Sequence, residues 1–212
     1  MSLRLGDVAP NFKAKTSQGE IDFYDYLGNS WGVLFSHPAD YTPVCTTELG
    51  RTASLKDEFD KRNVKVLALS VDSVESHKGW INDINETQGV EVNFPIIGDE
   101  NREIALAYDM IHPNASLTAT VRSLFVIAPD KTVKLMITYP ASTGRNFFEV
   151  LRVVDSLQLT SKHSVSTPAD WKQGEDVIVG GTVSTEDAVK KFPKGVRVVK
   201  PYLRYTPVPD EK

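Results

Sequence analysis

A chain of 212 residues that is 41% hydrophobic can bury a full core, enough for one medium domain with an appendage. Its formal net charge of -4, with lysines and arginines interleaved among acids, argues against nucleic acid as a partner. No apolar run approaches the roughly 18 residues that span a bilayer. The opening MSLRLGDVAPNF lacks the apolar core of a secretion signal, so a soluble, cytoplasmic protein without integral membrane association is expected.

Residues 5–25 alternate in short stretches around SQGE (17–20) and predict a β-hairpin. WGVLF (31–35) reads as a buried strand. It must end at His37-Pro38, because the residue before a proline is pushed away from helical geometry. Thr42-Pro43 then supplies a hydroxyl N-cap and a proline at the first helical position, opening a helix predicted to reach about Arg62. VKVLALSVD (64–72) is a second buried strand. Ser73 caps a helix whose stripe of Val74, His77, Ile81 and Ile84 ends at Gly89. FPIIGDE (94–100) predicts a short strand and turn, followed by a helix near 101–109. VRSLFVIAPD and KTVKLMITYP form a hairpin across Pro129-Asp130-Lys131, and residues 144–159 an amphipathic helix with Phe147, Leu151 and Val154 on one face.

Strands alternating with helices and closing on an antiparallel hairpin give an α/β fold with a mixed central sheet flanked by helices. After about Lys162 the composition changes: five of the twelve prolines lie between 168 and 212, and helical periodicity is weak outside 184–191. The expected division is a main domain over 1–165 and a small C-terminal domain or arm over 166–212. A disordered tail is the competing reading, which Trp171, Phe192, Tyr202 and Tyr205 oppose.

Cys45 is the only cysteine. That excludes an intrachain disulfide, a multi-cysteine zinc site and, because CTTE (45–48) has no second thiol, a Cys-x-x-Cys exchanger. Redox chemistry at Cys45 must finish with a thiol, or another reductant, supplied from outside the chain. In the first turn of a helix its sulfur faces unsatisfied N–H groups and the positive end of the macrodipole, both of which favour the thiolate. The alternative is an inert packing cysteine. Thr42 is either a partner of the thiolate or simply an N-cap. Pro38 either shields the sulfur from water or merely ends the strand. His37 suggests a Cys–His dyad or a positioning and proton-management role, or is a hydrogen-bonded residue at a strand end. The remaining histidines, 77, 112 and 163, give no site signal.

Pro38, Thr42 and Cys45 form Pro-x-x-x-Thr-x-x-Cys, the signature of the peroxiredoxins, and FSHPADYTPVCTTELGR (35–51) resembles their one-cysteine, peroxiredoxin-6-type branch. LGDVAPNF, ALSVDSVESH (68–77), FPII, YPASTGRNFFEVLRVVDSLQLT (139–160), TPADWKQGE (167–175) and PYLRYTP (201–207) extend the resemblance over essentially the whole chain. It implies a thioredoxin-like fold and reduction of hydrogen peroxide and organic hydroperoxides through a sulfenic acid on Cys45, with glutathione or another small or protein thiol as reductant. It implies no metal, haem or flavin, and a homodimer for which the C-terminal arm is a candidate contact. It also places Arg122 beside the sulfur to hold thiolate and peroxide together, with Arg145 and Glu48 behind it; as bare residues these three could equally be surface ion pairs.

Two other functions are open. Some proteins of this branch also carry phospholipase A2 activity through a Gly-x-Ser-x-Gly serine, a histidine and an aspartate. GNSWG (28–32) supplies Ser30 and the aspartate matches Asp130, but Tyr24 occupies the histidine position, and a phenol is a poor base at neutral pH. A redox sensor or holdase would present the same cysteine and differ in lacking multiple turnover.

Overall fold

The computed structural model describes residues 3–210. The chain separates into two compact units, one ending at Phe147 and the other beginning at Phe148.

In the first unit, β1 (Lys13–Thr16) and β2 (Gly19–Asp22) form the expected hairpin. The hairpin does not continue to residue 25. Asp22 accepts from the amides of Tyr24 and Asp25 and starts a short helix, α1 (Phe23–Leu27). β3 (Trp31–Ser36) is buried along its length. α2 (Pro43–Ser54) opens at Thr42-Pro43, but the single helix expected to Arg62 is broken at Leu55, after which α3 (Lys56–Lys61) resumes. Leu55 and Phe59 are both buried, so packing imposes a break that no glycine or proline announces. β4 (Val64–Ser70) is followed by α4 (Val74–Gln88). There the Ser73 hydroxyl accepts from the Ser76 amide, and Gly89 closes the helix at φ 63°, a left-handed conformation that glycine adopts freely. The buried stripe of α4 is His77, Trp80 and Ile84.

β5 (Ile96–Gly98), α5 (Glu103–Ala107), β6 (Arg122–Ile127) and β7 (Val133–Tyr139) complete the unit. The seven strands lie in the order β2-β1-β5-β4-β3-β6-β7. β3, β4 and β5 are parallel, and β6, β7 and the β1–β2 hairpin run antiparallel to their neighbours. Alternation along β3 sends Leu34 to one face, into a cluster with Phe23 and Leu27 of α1 and Ile104 and Ala105 of α5. Phe35 points the other way, onto Phe94 and Phe147. With both faces covered, β3 ends in the middle of the sheet, where the carboxyl ends of parallel strands open onto a ligand crevice.

α6 (Phe147–Lys162) leads into the second unit. This unit contains β8 (Val165–Ser166), β9 (Val177–Val179), α7 (Thr185–Lys191), β10 (Arg197–Lys200) and β11 (Leu203–Thr206), with the strands in the antiparallel order β10-β11-β9-β8. Trp171, Val177, Val179, Ala188 and Phe192 form its own small core. The tail is therefore folded. Its sheet escapes sequence reading because the strands are two to four residues long, too short for alternation to show. Among the described residues no helix is long and apolar enough to cross a membrane.

Candidate active site

The backbone leaves β3 at His37, whose amide still bonds the Leu69 carbonyl of β4 at 2.9 Å and whose carbonyl accepts from the Thr120 hydroxyl at 2.7 Å. Pro38 follows half-buried, ending the strand as expected. Tyr41 then turns the chain at φ 54°, and its hydroxyl lies where a Cβ on Gly79 would meet it at 2.6 Å; glycine there leaves room for the ring to settle. Thr42 occupies the cap position, yet its hydroxyl does not cap the helix. It donates to the Ala39 carbonyl at 2.8 Å, tying the loop to itself and correcting the expected N-cap bond. Because that proton is engaged, Thr42 Oγ1 has only lone pairs left to offer.

Cys45 sits at the third position of α2 with no solvent-exposed surface. Across the sheet end, Arg122, the first residue of β6 and 3% exposed, aims Nη1 at Cys45 Sγ at 3.3 Å. The same nitrogen donates to Glu48 Oε2 at 2.8 Å, while Nε and Nη2 donate to the Ala141 carbonyl at 3.0 and 2.6 Å. The guanidinium is thus fixed on three sides.

Glu48 lies one turn after Cys45 on the same face of α2. Arg145 donates to it three times, from its amide, Nε and Nη2 at 2.8, 2.8 and 2.7 Å, and from Nη1 to the Ser123 carbonyl at 2.8 Å. The Arg145 guanidinium also stacks 4.9 Å from the Phe35 ring centroid. Burial alone would raise the Glu48 carboxyl, but the bonds and charge of Arg145, aided by Arg122, hold it below its ordinary value. Two buried guanidiniums around one carboxylate leave one positive charge beside the sulfur.

A second cluster lies on the other side of the loop. His37 Nε2 meets Asp40 Oδ1 at 2.9 Å, and His77 Nδ1 meets Asp40 Oδ2 at 2.7 Å. Ser76 Oγ donates to Asp40 Oδ2 at 2.8 Å, and His77 Nε2 faces the Ile97 carbonyl at 3.1 Å. All three side chains are buried, and among the described residues they are the group of metal-ligand type, with ligand atoms within 4.8 Å of one another. Each of those atoms is already hydrogen-bonded within the cluster, and His37 Nδ1 has no partner. Burial lowers the affinity of His37 for a proton, and the two histidines hold Asp40 well below the usual carboxylate range against its own burial.

Asp40 and His77 were not anticipated. The available signal was a histidine within the buried stripe of α4, since a buried imidazole needs a polar partner.

The residues of the lipase reading are otherwise engaged. Ser30 is buried before β3 and its hydroxyl meets Asn63 Oδ1 at 2.8 Å. Asp130 accepts from Thr132, and the Tyr24 hydroxyl donates to the Ala9 carbonyl at 2.6 Å.

The AhpC/TSA family model matches residues 5–136, and the model of the C-terminal domain of 1-Cys peroxiredoxin matches 156–195. A 1-Cys peroxiredoxin of Dictyostelium discoideum is 58% identical over 209 residues, covering 99% of this chain and 87% of that protein. The chain is a one-cysteine peroxiredoxin. Its fold matches the crystal structure of a cysteine-to-serine mutant of peroxiredoxin 6 from Arenicola marina, with a TM-score of 0.94 and 50% identity over 99% of this chain and all of that one. It matches a yeast mitochondrial 1-Cys peroxiredoxin with a TM-score of 0.92 and 55% identity over 97% and 99% of the two chains. The thioredoxin-like architecture expected from the resemblance is therefore present, and this peroxiredoxin is a thiol peroxidase that reduces hydroperoxides through a cysteine sulfenic acid resolved by an external thiol.

Proposed function

We propose that Cys45 is the peroxidatic nucleophile and that Arg122, Thr42, Pro38 and His37 complete the reacting site, with Glu48 and Arg145 holding Arg122 in place. The observation that carries this reading is the 3.3 Å approach of Arg122 Nη1 to the Sγ of a wholly buried Cys45. The thiolate attacks the near oxygen of the hydroperoxide in line with the O–O bond. An S–O bond forms, the O–O bond breaks, sulfur is oxidised by two electrons, and water or an alcohol leaves after taking a proton. Negative charge builds on the departing oxygen, where a fixed guanidinium lowers the barrier most. Thr42 Oγ1, with its proton on Ala39, accepts the hydroperoxide O–H. Pro38 keeps water from the sulfur, and His37 manages the proton the departing oxygen requires.

An external thiol then attacks the sulfenic sulfur, expelling water, and a second thiol frees Cys45 and leaves as disulfide. The yeast mitochondrial relative resolves its thiol via glutathione/thioredoxin systems, which supports glutathione or a protein thiol here. One free cysteine and no disulfide partner suit a reducing compartment such as the cytoplasm. A peroxidase domain followed by a C-terminal domain, placed at 1–165 and 166–212, has support for two domains, though not for that exact boundary, from the family match over 156–195 and the separate small sheet that begins at Val165. A homodimer contacting through the C-terminal unit is supported by the exposed Val198 and Val199 of β10 and by Tyr202.

Rapid mixing with peroxide tests the assignment. Cys45→Ser should abolish the fast phase, and Arg122→Ala should slow it by about 10²–10³-fold. A fast phase intact in either variant overturns it. Excess peroxide should add two or three oxygens to Cys45, because no second cysteine traps the sulfenate.

A further inference from the structure

The proton inventory of the second buried cluster leads to a role for a residue outside the reacting site. The Ile97 carbonyl can only accept, so His77 Nε2, 3.1 Å away, carries a proton. Asp40 Oδ2, 2.7 Å from His77 Nδ1, already accepts from Ser76, and Oδ1 faces His37 Nε2. An ionised Asp40 satisfies every one of these contacts only if Nδ1 of His77 and Nε2 of His37 are both protonated. His77 is then an imidazolium, Asp40 a carboxylate and His37 a neutral ring whose remaining nitrogen, Nδ1, is buried without a partner. This distribution is neutral overall, which is what a fully buried triad favours.

We propose that His77 is a positioning residue for the peroxidase reaction: by donating from both ring nitrogens it balances the Asp40 carboxylate, so that His37 keeps its proton on Nε2 and a bare lone pair on Nδ1. The lone pair is the part of His37 that can take up or pass on a proton in the loop that leads into α2 and Cys45. Without the cation on α4, the Asp40 charge would draw a second proton onto His37 and remove it. The charged and titratable groups facing His37 are Asp40 from its own loop, His77 from α4 and Asp72 from the segment after β4. The Asp72 carboxylate is itself occupied by the Asp40 amide at 2.9 Å and the Ser70 hydroxyl at 2.8 Å. The segment before β6 contributes the neutral Thr120 hydroxyl. His77 is therefore the positive partner that sets the sign of the local field. The inference rests on the reading of Cys45 as nucleophile and of His37 as its proton manager.

Nitrogen-15 NMR of the resting, histidine-labelled protein tests the inventory without any turnover. At neutral pH, His77 should show two protonated ring nitrogens and His37 a bare Nδ1. A singly protonated His77, or a protonated His37 Nδ1, overturns the proposal. Stopped-flow oxidation of Cys45 by hydrogen peroxide across pH tests the consequence. In His77→Gln the acid limb of the rate profile should move up by about one pH unit, while the rate above the limb stays near wild type. A uniform loss of rate with the limb in place would mean a merely structural role and overturn it. In a His37→Gln background the same His77→Gln change should no longer move the limb; a persisting shift would mean that His77 acts on the sulfur directly, which also overturns it. A wild type whose Cys45 shows no fast oxidation at all would instead overturn the underlying reading of the site, which separates the two failures.

Discussion

Two buried carboxylates flank the loop between β3 and α2, and each is held by two basic side chains. Glu48 sits between Arg122 and Arg145, and Asp40 between His37 and His77. Guanidinium does not lose its proton in proteins, so the Glu48 cluster holds a fixed positive charge against Cys45 at any working pH. Imidazole exchanges protons near neutrality, so the Asp40 cluster can move them. One cluster keeps a constant charge, and the other is built of groups that can exchange protons near neutrality. Both use the same economy of construction, a single buried anion that would be untenable without its partners.

The comparison can be broken most severely at its anions. Glu48→Ala leaves two buried guanidiniums without their carboxylate and should cost about 3–5 kcal/mol in denaturant unfolding; a loss near that of a surface ion pair would show that the cluster is not desolvated. The two clusters should next separate by pH. Burial makes His37 bind a proton less readily when folded than when unfolded, although Asp40 pulls the other way. Its contribution to stability is therefore complete above about pH 6.5 and is lost as pH falls below that, at no more than about 1.4 kcal/mol per unit. Glu48 is depressed from 4.5, so its contribution is complete above about that value and is lost as pH falls from there through the lower folded one. Between pH 7 and 5 the wild type should lose stability faster than His37→Gln, and equal slopes in urea titrations would contradict this. The smallest effect is expected outside both clusters. Ser30→Ala removes one hydrogen bond to Asn63 and should cost about 1 kcal/mol, with peroxide reduction unchanged and no lipase activity to lose; a lipase signal that vanished in this variant would reopen the Ser30 reading.

Much of this was legible in the amino acids, for physical reasons that also explain the rest. WGVLF and VKVLALS are apolar runs that only a doubly covered strand uses, and Pro38 and Pro43 fix where β3 stops and α2 starts. The break at Leu55 was not legible, since RTASLKDEF carries no breaker and tertiary packing decided it. Cys45 stood out through its helical position. Arg122, 77 residues away, could be placed beside it only through family resemblance, because local pattern says nothing about which strand ends meet. Asp40 and His77 were missed for the same reason: one reads as a turn residue and the other as a member of an apolar stripe, and only the folded chain brings them together.

The complete enclosure of Cys45 bears on how the enzyme is recycled. With no exposed surface on Cys45, a bulky tripeptide or protein thiol can reach the sulfur only when the surrounding chain opens. If Cys45 is the sulfur that is recycled, raising the donor concentration should speed regeneration only to a plateau equal to the rate of that opening.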